Sequence, residues 1–241
     1  MDQKEIDNFL EENKIRVQGG NISSNAELSL LLNSIAKDEL KKENVDKAKY
    51  FINKAINFDH KNHEALFIKG MICRHEMKYV EAIESFKNYN KIMNDGLSLI
   101  YIGFCYAELF DSNNALDYLN KGEKSLSEEE KRNDELLLSS VYEWIGNIYL
   151  NRENLLEFDE SDKLKLNYKL AVRNFKKSLK LHRNNHELLN KLAACYYHFE
   201  DEGRALYCYE EAAKYTYDKS AYLEVIEEMK SMGITSTYIE F

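Results

Sequence analysis

The residues that could carry chemistry are few and poorly spaced for it. His182 and His186 stand four apart, the separation at which two imidazoles on one helix face can share a metal ion. Arg183-Asn184-Asn185 between them is a turn sequence, which sends the two side chains to different faces. His60 and His63 flank a turn in the same way. The four cysteines, Cys73, Cys105, Cys195 and Cys208, include no CxxC pair. Cys73 and Cys105 fall on apolar repeat positions, where a thiol serves as a small hydrophobe. Glu128-Glu129-Glu130 is a solvated acidic face. There is no glycine-rich phosphate loop, no HExxH and no GxSxG. The expectation is a non-enzymatic protein that uses neither metal nor cofactor.

Charge narrows the partners. The net charge is −9 and no basic run or stripe interrupts it, so a phosphate backbone is repelled and no nucleic-acid partner is expected. No stretch approaches the ~20 apolar residues of a membrane span. The opening MDQKEIDNFLEEN is acidic and amphipathic and lacks the basic start and apolar core of a signal peptide. Unpaired cysteines suit a reducing interior, so a cytoplasmic location is expected. The 241 residues contain no proline, which suits nearly uninterrupted helices.

What organises the chain is a repeat. Leu66, Gly70 and Cys73 are followed by Ala82, Phe86 and Tyr89. Leu99, Gly103 and Tyr106 are followed by Ala115, Leu119 and Gly122. Gly70 to Gly103 is 33 residues, and so is Ala82 to Ala115. Ala48 to Ala82 and Ala171 to Ala205 are each 34. A period in this range predicts stacked helix pairs, none of which can bury its apolar face alone. Between Gly146 and Ala171 the spacing is 25 residues where it is 12 in repeats two and three, so roughly 13 residues are inserted near 150–167. Two lengthened helices are expected there, the second carrying Leu164, Tyr168, Ala171, Val172, Phe175 and Leu179. Its apolar side chains, Leu150, Leu155, Leu156, Phe158, Leu164 and Leu166, are too many for a solvated loop.

This pattern resembles the tetratricopeptide repeat. In that family a bulky residue, a leucine, a small residue and a tyrosine mark the first helix, and a small residue, an aromatic and a second small residue mark the second. The small positions here are Ala36, Gly70, Gly103, Gly146 and Ala193; the aromatics are Phe86, Phe175 and Tyr209. Tyr89 departs from the pattern, standing where a small residue is usual. The resemblance implies an all-α, right-handed α-solenoid of about five helix pairs within residues 26–232. The repeats are expected near 29–62, 63–95, 96–127, 134–185 and 186–217, with a capping helix at 218–232. Residues 1–25, with Ile6, Phe9 and Leu10 outside the repeat, form an N-terminal segment and linker. Residues 233–241 are expected to be a frayed tail.

The resemblance also implies protein–protein interaction, with a partner segment lying across the first helices. The family's offsets place Phe67, Met71 and Arg74 of repeat two on that face. They add Ile100, Tyr101 and Phe104 of repeat three, Trp144 and Asn147 of repeat four, and Asn190 and Tyr197 of repeat five. The centre of this set is apolar and aromatic, which suits a segment with apolar anchors. Some family members clamp acidic chaperone tails with a set of Lys, Asn and Arg side chains. Here Asn33, Lys37, Asn147 and Lys191 reproduce it only in fragments, so a co-chaperone is a weaker alternative. A fixed subunit of a large assembly, of the anaphase-promoting-complex kind, is the other.

Overall fold

Residues 24–151 and 161–241 are described by the structure, a computed structural model of the chain. The segment 1–23, including Ile6, Phe9 and Leu10, lies outside the described residues. So do Leu155, Leu156 and Phe158 of the insertion.

Twelve helices and no strand occur among the described residues. They are α1 (Asn25–Lys41), α2 (Val45–Phe58), α3 (His63–His75), α4 (Tyr79–Met93), α5 (Gly96–Glu108) and α6 (Ser112–Ser125). After these come α7 (Glu128–Asn133), α8 (Glu135–Asn151), α9 (Ser161–Leu181), α10 (His186–His198), α11 (Glu202–Tyr215) and α12 (Ser220–Ser231). Most start on a side chain that accepts one of the orphan amides of the first turn. Ser24, Asn62, Asp95, Asp111, Asn185 and Asp201 all do this. The polar stretch 123–133 ends α6 and forms the short α7. Ser127 and Glu130 hold that turn in a reciprocal capping box.

The chain divides into two compact units, one ending at Met93 and one spanning Asn94–Phe241. In the first, α1 packs on α2 and α3 on α4. Leu28, Leu32, Ala36, Ala48, Ile52, Ala55, Ile68 and Ile72 form its core. In the second, α5 packs on α6, α8 on α9, α10 on α11, and α12 covers α11. The expected apolar series of α9 faces inward: Tyr168, Ala171, Phe175 and Leu179 are buried.

The pairs of repeats two, three and four close through a glycine set against a large side chain. A Cβ built on Gly70 would lie 2.6 Å from Cε1 of Phe86, and one on Gly103 would lie 2.7 Å from Cγ of Leu119. The first and last turns of a pair meet just as closely. Ser29 donates to the Ala55 carbonyl at 2.7 Å, Ser139 to the Ser178 carbonyl at 3.2 Å, and Gly96 faces Gly122. Tyr89 occupies this small position in repeat two. Its ring turns outward against Phe67 at 5.0 Å and His63 at 6.3 Å, so the pair closes without a clash.

The turns inside repeats one, two, three and five share a feature. Glu43, Met77, Phe110 and Glu200 hold φ values of 63°, 58°, 59° and 57°, the left-handed region that glycine usually fills. Phe110 does so with its ring 88% exposed.

The segment after α12 corrects an expectation. It is not frayed: Ile239 is 3% exposed within the core of the second unit, and Phe241 packs against that core. Gly233 ends α12 with φ 82°, and the chain then runs back along α11.

Candidate functional site

The candidate site in the second unit is built on the first helices α5, α8 and α10. On α5, Tyr101 meets Phe104 edge-on at 6.1 Å. Phe104 meets Trp144 of α8 at 6.1 Å, tilted by 46°. The three rings form a continuous chain from one first helix to the next. Tyr101, Trp144 and Asn147 are half-buried. Trp144 and Asn147 stand three apart and therefore share a face of α8. On α10, Asn190, Ala194 and Tyr197 make an exposed stripe at helical spacing, with Tyr197 55% exposed. Glu143 ties α8 to α10, accepting from Lys191 Nζ at 3.1 Å and from Asn185 Nδ2 at 3.1 Å.

Two members of the expected set do not line a surface. Ile100 is 0% exposed, and a Cβ on Gly122 would lie 2.6 Å from its Cγ1. It is the wedge between α5 and α6. Phe104 is 4% exposed and belongs to the core with Leu116, Leu119 and Ile145. Its role is to support Trp144 from beneath.

The first unit carries Phe67, Met71 and Arg74 on α3, all half-buried. Phe67 is committed to its own hairpin, edge-on to Phe86 at 5.5 Å. Beside it lies a polar network that sequence reasoning missed. Asn62 caps α3 through the Ala65 amide and donates to Ser29 Oγ at 2.6 Å. Asn33 Nδ2 donates to Asn62 Oδ1 at 3.0 Å and to Glu64 Oε2 at 3.1 Å, and Lys37 pairs with Glu64. Asn33 Oδ1 is buried and finds no hydrogen-bond donor among the described residues. Only Asn62, the residue before the helix, offered a signal in the sequence, as a cap. The Lys37 ammonium beside Glu64 holds that carboxyl below its ordinary range, helped by Asn33 and opposed by burial.

None of the thiols is poised as a nucleophile. Cys73, Cys105, Cys195 and Cys208 are all buried, and none is in a disulfide. Burial pushes the Cys73 thiol up, with Glu81 adding to it, and pushes Cys208 up further. Among the described residues, no group of three or more His, Cys, Asp or Glu side chains is placed to hold a metal. No helix among them is long and apolar enough to cross a membrane.

Solved structures with the same arrangement of helix pairs decide the fold. A crystal structure of YrrB, described as a TPR protein with an unusual peptide-binding site, superposes with a TM-score of 0.62 at 17% identity, covering 92% of this chain and 97% of that one. The fold is the tetratricopeptide-repeat fold. MamA matches with a TM-score of 0.61 at 15% identity, over 88% of this chain and 99% of that one. PilF of Pseudomonas aeruginosa matches with 0.63 at 19% identity, over 87% and 86%. No family model matches the sequence. No curated protein matches it either. The likeness is thus one of fold.

Proposed function

We propose that the chain is a non-catalytic protein-interaction module. In the unit 94–241 it binds an apolar or amphipathic segment of a partner protein across α5, α8 and α10. The observation that carries this is the half-buried Trp144, backed by buried Phe104 beside Tyr101, with Asn147 on the same helix face and an exposed Asn190–Tyr197 stripe on α10, which Glu143 ties to α8. A rigid indole on a packed support, rimmed by amides and a tyrosine, is the composition of a binding hot spot. Phe67, Met71 and Arg74 offer a smaller surface in the first unit. The peptide-binding site named for YrrB is consistent with this role.

Charge selects among ligands. The two cations that an acidic-tail clamp would need, Lys37 and Lys191, are engaged by Glu64 and Glu143. An acidic peptide would have to displace a carboxylate already in place, so the co-chaperone alternative is disfavoured. Four buried cysteines, none in a disulfide, fit a reducing, intracellular setting.

Trp144 is the only tryptophan of the chain, so its fluorescence reports the site directly. Peptides selected from a random library against the whole chain should shift that emission to the blue. Trp144→Ala and Tyr197→Ala should each weaken the selected peptides by roughly tenfold or more, the loss of a hot-spot contact of about 2 kcal/mol. The thermal midpoint should stay within a few degrees. Peptides that bind both variants as tightly as the parent would place the ligand surface elsewhere.

A further inference from the structure

The seam between α2 and α3 breaks the repeat pattern at three positions, and all three face one cavity. In repeats one, three, four and five, the residue before the small position of the first helix is a buried aliphatic: Ile35, Ile102, Ile145 and Leu192. In repeat two it is the half-buried Lys69. The residue after the small position of the second helix is Ile83, Leu116, Val172 or Leu206 in repeats two to five, but in repeat one it is the half-buried Lys49. Three residues beyond the small position of the first helix, repeats three to five carry Tyr106, Tyr149 and Tyr196. Repeat two carries Cys73 there, and the volume of a ring is missing.

The resulting cavity measures about 110 Å³. Besides these three residues it has apolar walls from Ile52 and Ile72, with the exposed Asn53 and Glu81 also lining it. Lys69, Ile72 and Cys73 lie half a turn of α3 away from Phe67, Met71 and Arg74, so the cavity opens on the other side of that helix. A void beside two lysines is costly in a stack whose other seams are filled with aliphatic side chains. The charges are not spent on one another. Lys49 Nζ reaches Glu76 at 2.7 Å, but Lys78 shares the same carboxylate at 2.8 Å. Among the described residues Lys69 makes no ion pair and the Asn53 amide no hydrogen bond. Glu81 Oε2 lies 3.9 Å from the Cys73 sulfur. Lys49, Lys69 and Lys78 against Glu76 and Glu81 leave a positive excess here, in a chain of net charge −9.

We propose that this cavity is a binding site for a carboxylate on a short aliphatic stem. Lys69 and the Asn53 amide hold the carboxylate, and Lys49 adds charge. Ile52, Ile72 and the Cys73 thiol take the stem. A cavity of ~150 Å³ accommodates benzene, so this one holds roughly five heavy atoms, the size of propionate. Glu81 repels a phosphate dianion more than a monocarboxylate. The same stem and carboxylate make up a glutamate side chain, so the group comes either from a free short-chain acid or from a glutamate of a partner. The site lies within the first unit and is independent of the Trp144 surface.

The test titrates the whole isotope-labelled chain with sodium propionate at constant ionic strength and follows its amide NMR signals. Those of Asn53, Lys69 and Cys73 should shift saturably, with half-saturation on the order of 1 mM for so small a ligand. Propionamide and phosphate should give no saturable shift there. Lys69→Met keeps the stem without the charge and should weaken propionate by roughly tenfold or more. Cys73→Tyr, the residue of the sibling repeats, should block the cavity; Cys73→Met fills it with less strain and should weaken propionate too. Trp144→Ala should change none of these values. Acetyl-Ala-Glu-Ala-amide separates the two sources: binding tighter than that of propionate assigns a partner's glutamate, and weaker binding assigns a free acid. Absence of saturable shifts in the parent chain overturns the proposal. So does propionate affinity left unchanged by Lys69→Met, or propionamide that binds as tightly as propionate.

Discussion

Gly70→Ala sets two known effects against each other. Replacing a helix-interior glycine by alanine normally stabilises by about 1 kcal/mol. Here the new methyl would stand 2.6, 2.7 and 2.8 Å from three ring atoms of Phe86, where carbon atoms prefer about 3.5–4.0 Å. The helices α3 and α4 would have to separate by about 1 Å to restore that contact distance. The ring cannot step aside, being 0% exposed and edge-on to Phe67. Overpacking of this kind costs about 1–3 kcal/mol, and the depth of the overlap places it at the upper end. The net expectation is a loss of about 1–2 kcal/mol, read as a lower urea midpoint by far-ultraviolet circular dichroism. Phe86→Leu alone should also destabilise, by vacating ring volume. The double variant should be at least about 1 kcal/mol more stable than the sum of the two losses, because the smaller side chain admits the methyl. Ala36→Gly, at the same register of repeat one, should cost about 1 kcal/mol as an ordinary helix glycine. A Gly70→Ala chain more stable than the parent, or strict additivity with Phe86→Leu, would refute the close-approach account.

Three further predictions rest on single contacts. Phe104→Ala should lower stability by about 3–5 kcal/mol, because the ring is core, whereas Trp144→Ala should cost far less; paired thermal melts compare them. Ser139→Ala strands the buried Ser178 hydroxyl and should cost about 1–3 kcal/mol in urea titration, with part recovered in Ser139→Ala/Ser178→Ala. Glu64, held below its ordinary value by Lys37, contributes stability that is fully present above the unfolded carboxylate range. That stability is lost as pH falls through the lower folded value, and Glu64→Gln should flatten this part of the acid-stability curve.

The repeat was legible because its register rests on residue size. Gly70, Gly103 and Gly146 sit where only small side chains fit, and size shows directly in a sequence. Direction is harder. One residue along a helix turns the side chain by about 100°, so Ile100 and Tyr101, both assigned to the ligand face, part company. Tyr101 stays half-exposed and Ile100 drives into α6. Phe104 shows a second limit: apolar character alone does not separate a hot-spot ring from the ring that supports it. The polar network of Ser29, Asn33, Asn62 and Glu64 joins residues up to 35 apart, and no local pattern announces it. The docked segment 234–241 escaped a reading tuned to helical periods. Its trace was the alternation of Ile239 and Phe241 with polar neighbours.

The left-handed residues at the hairpin turns bear on how much stability this chain has left unused. Glu43, Met77, Phe110 and Glu200 each hold a backbone conformation that costs a residue with a side chain about 1 kcal/mol and costs glycine almost nothing. None of the four has become glycine, although the change is open to each without disturbing the core. A lineage pressed towards heat resistance would have collected those gains. Such slack is what selection leaves when a protein needs only to clear a threshold. The same four positions are therefore the natural place to harden the scaffold: glycine at each should raise its melting point while the faces of α5, α8 and α10 stay as they are.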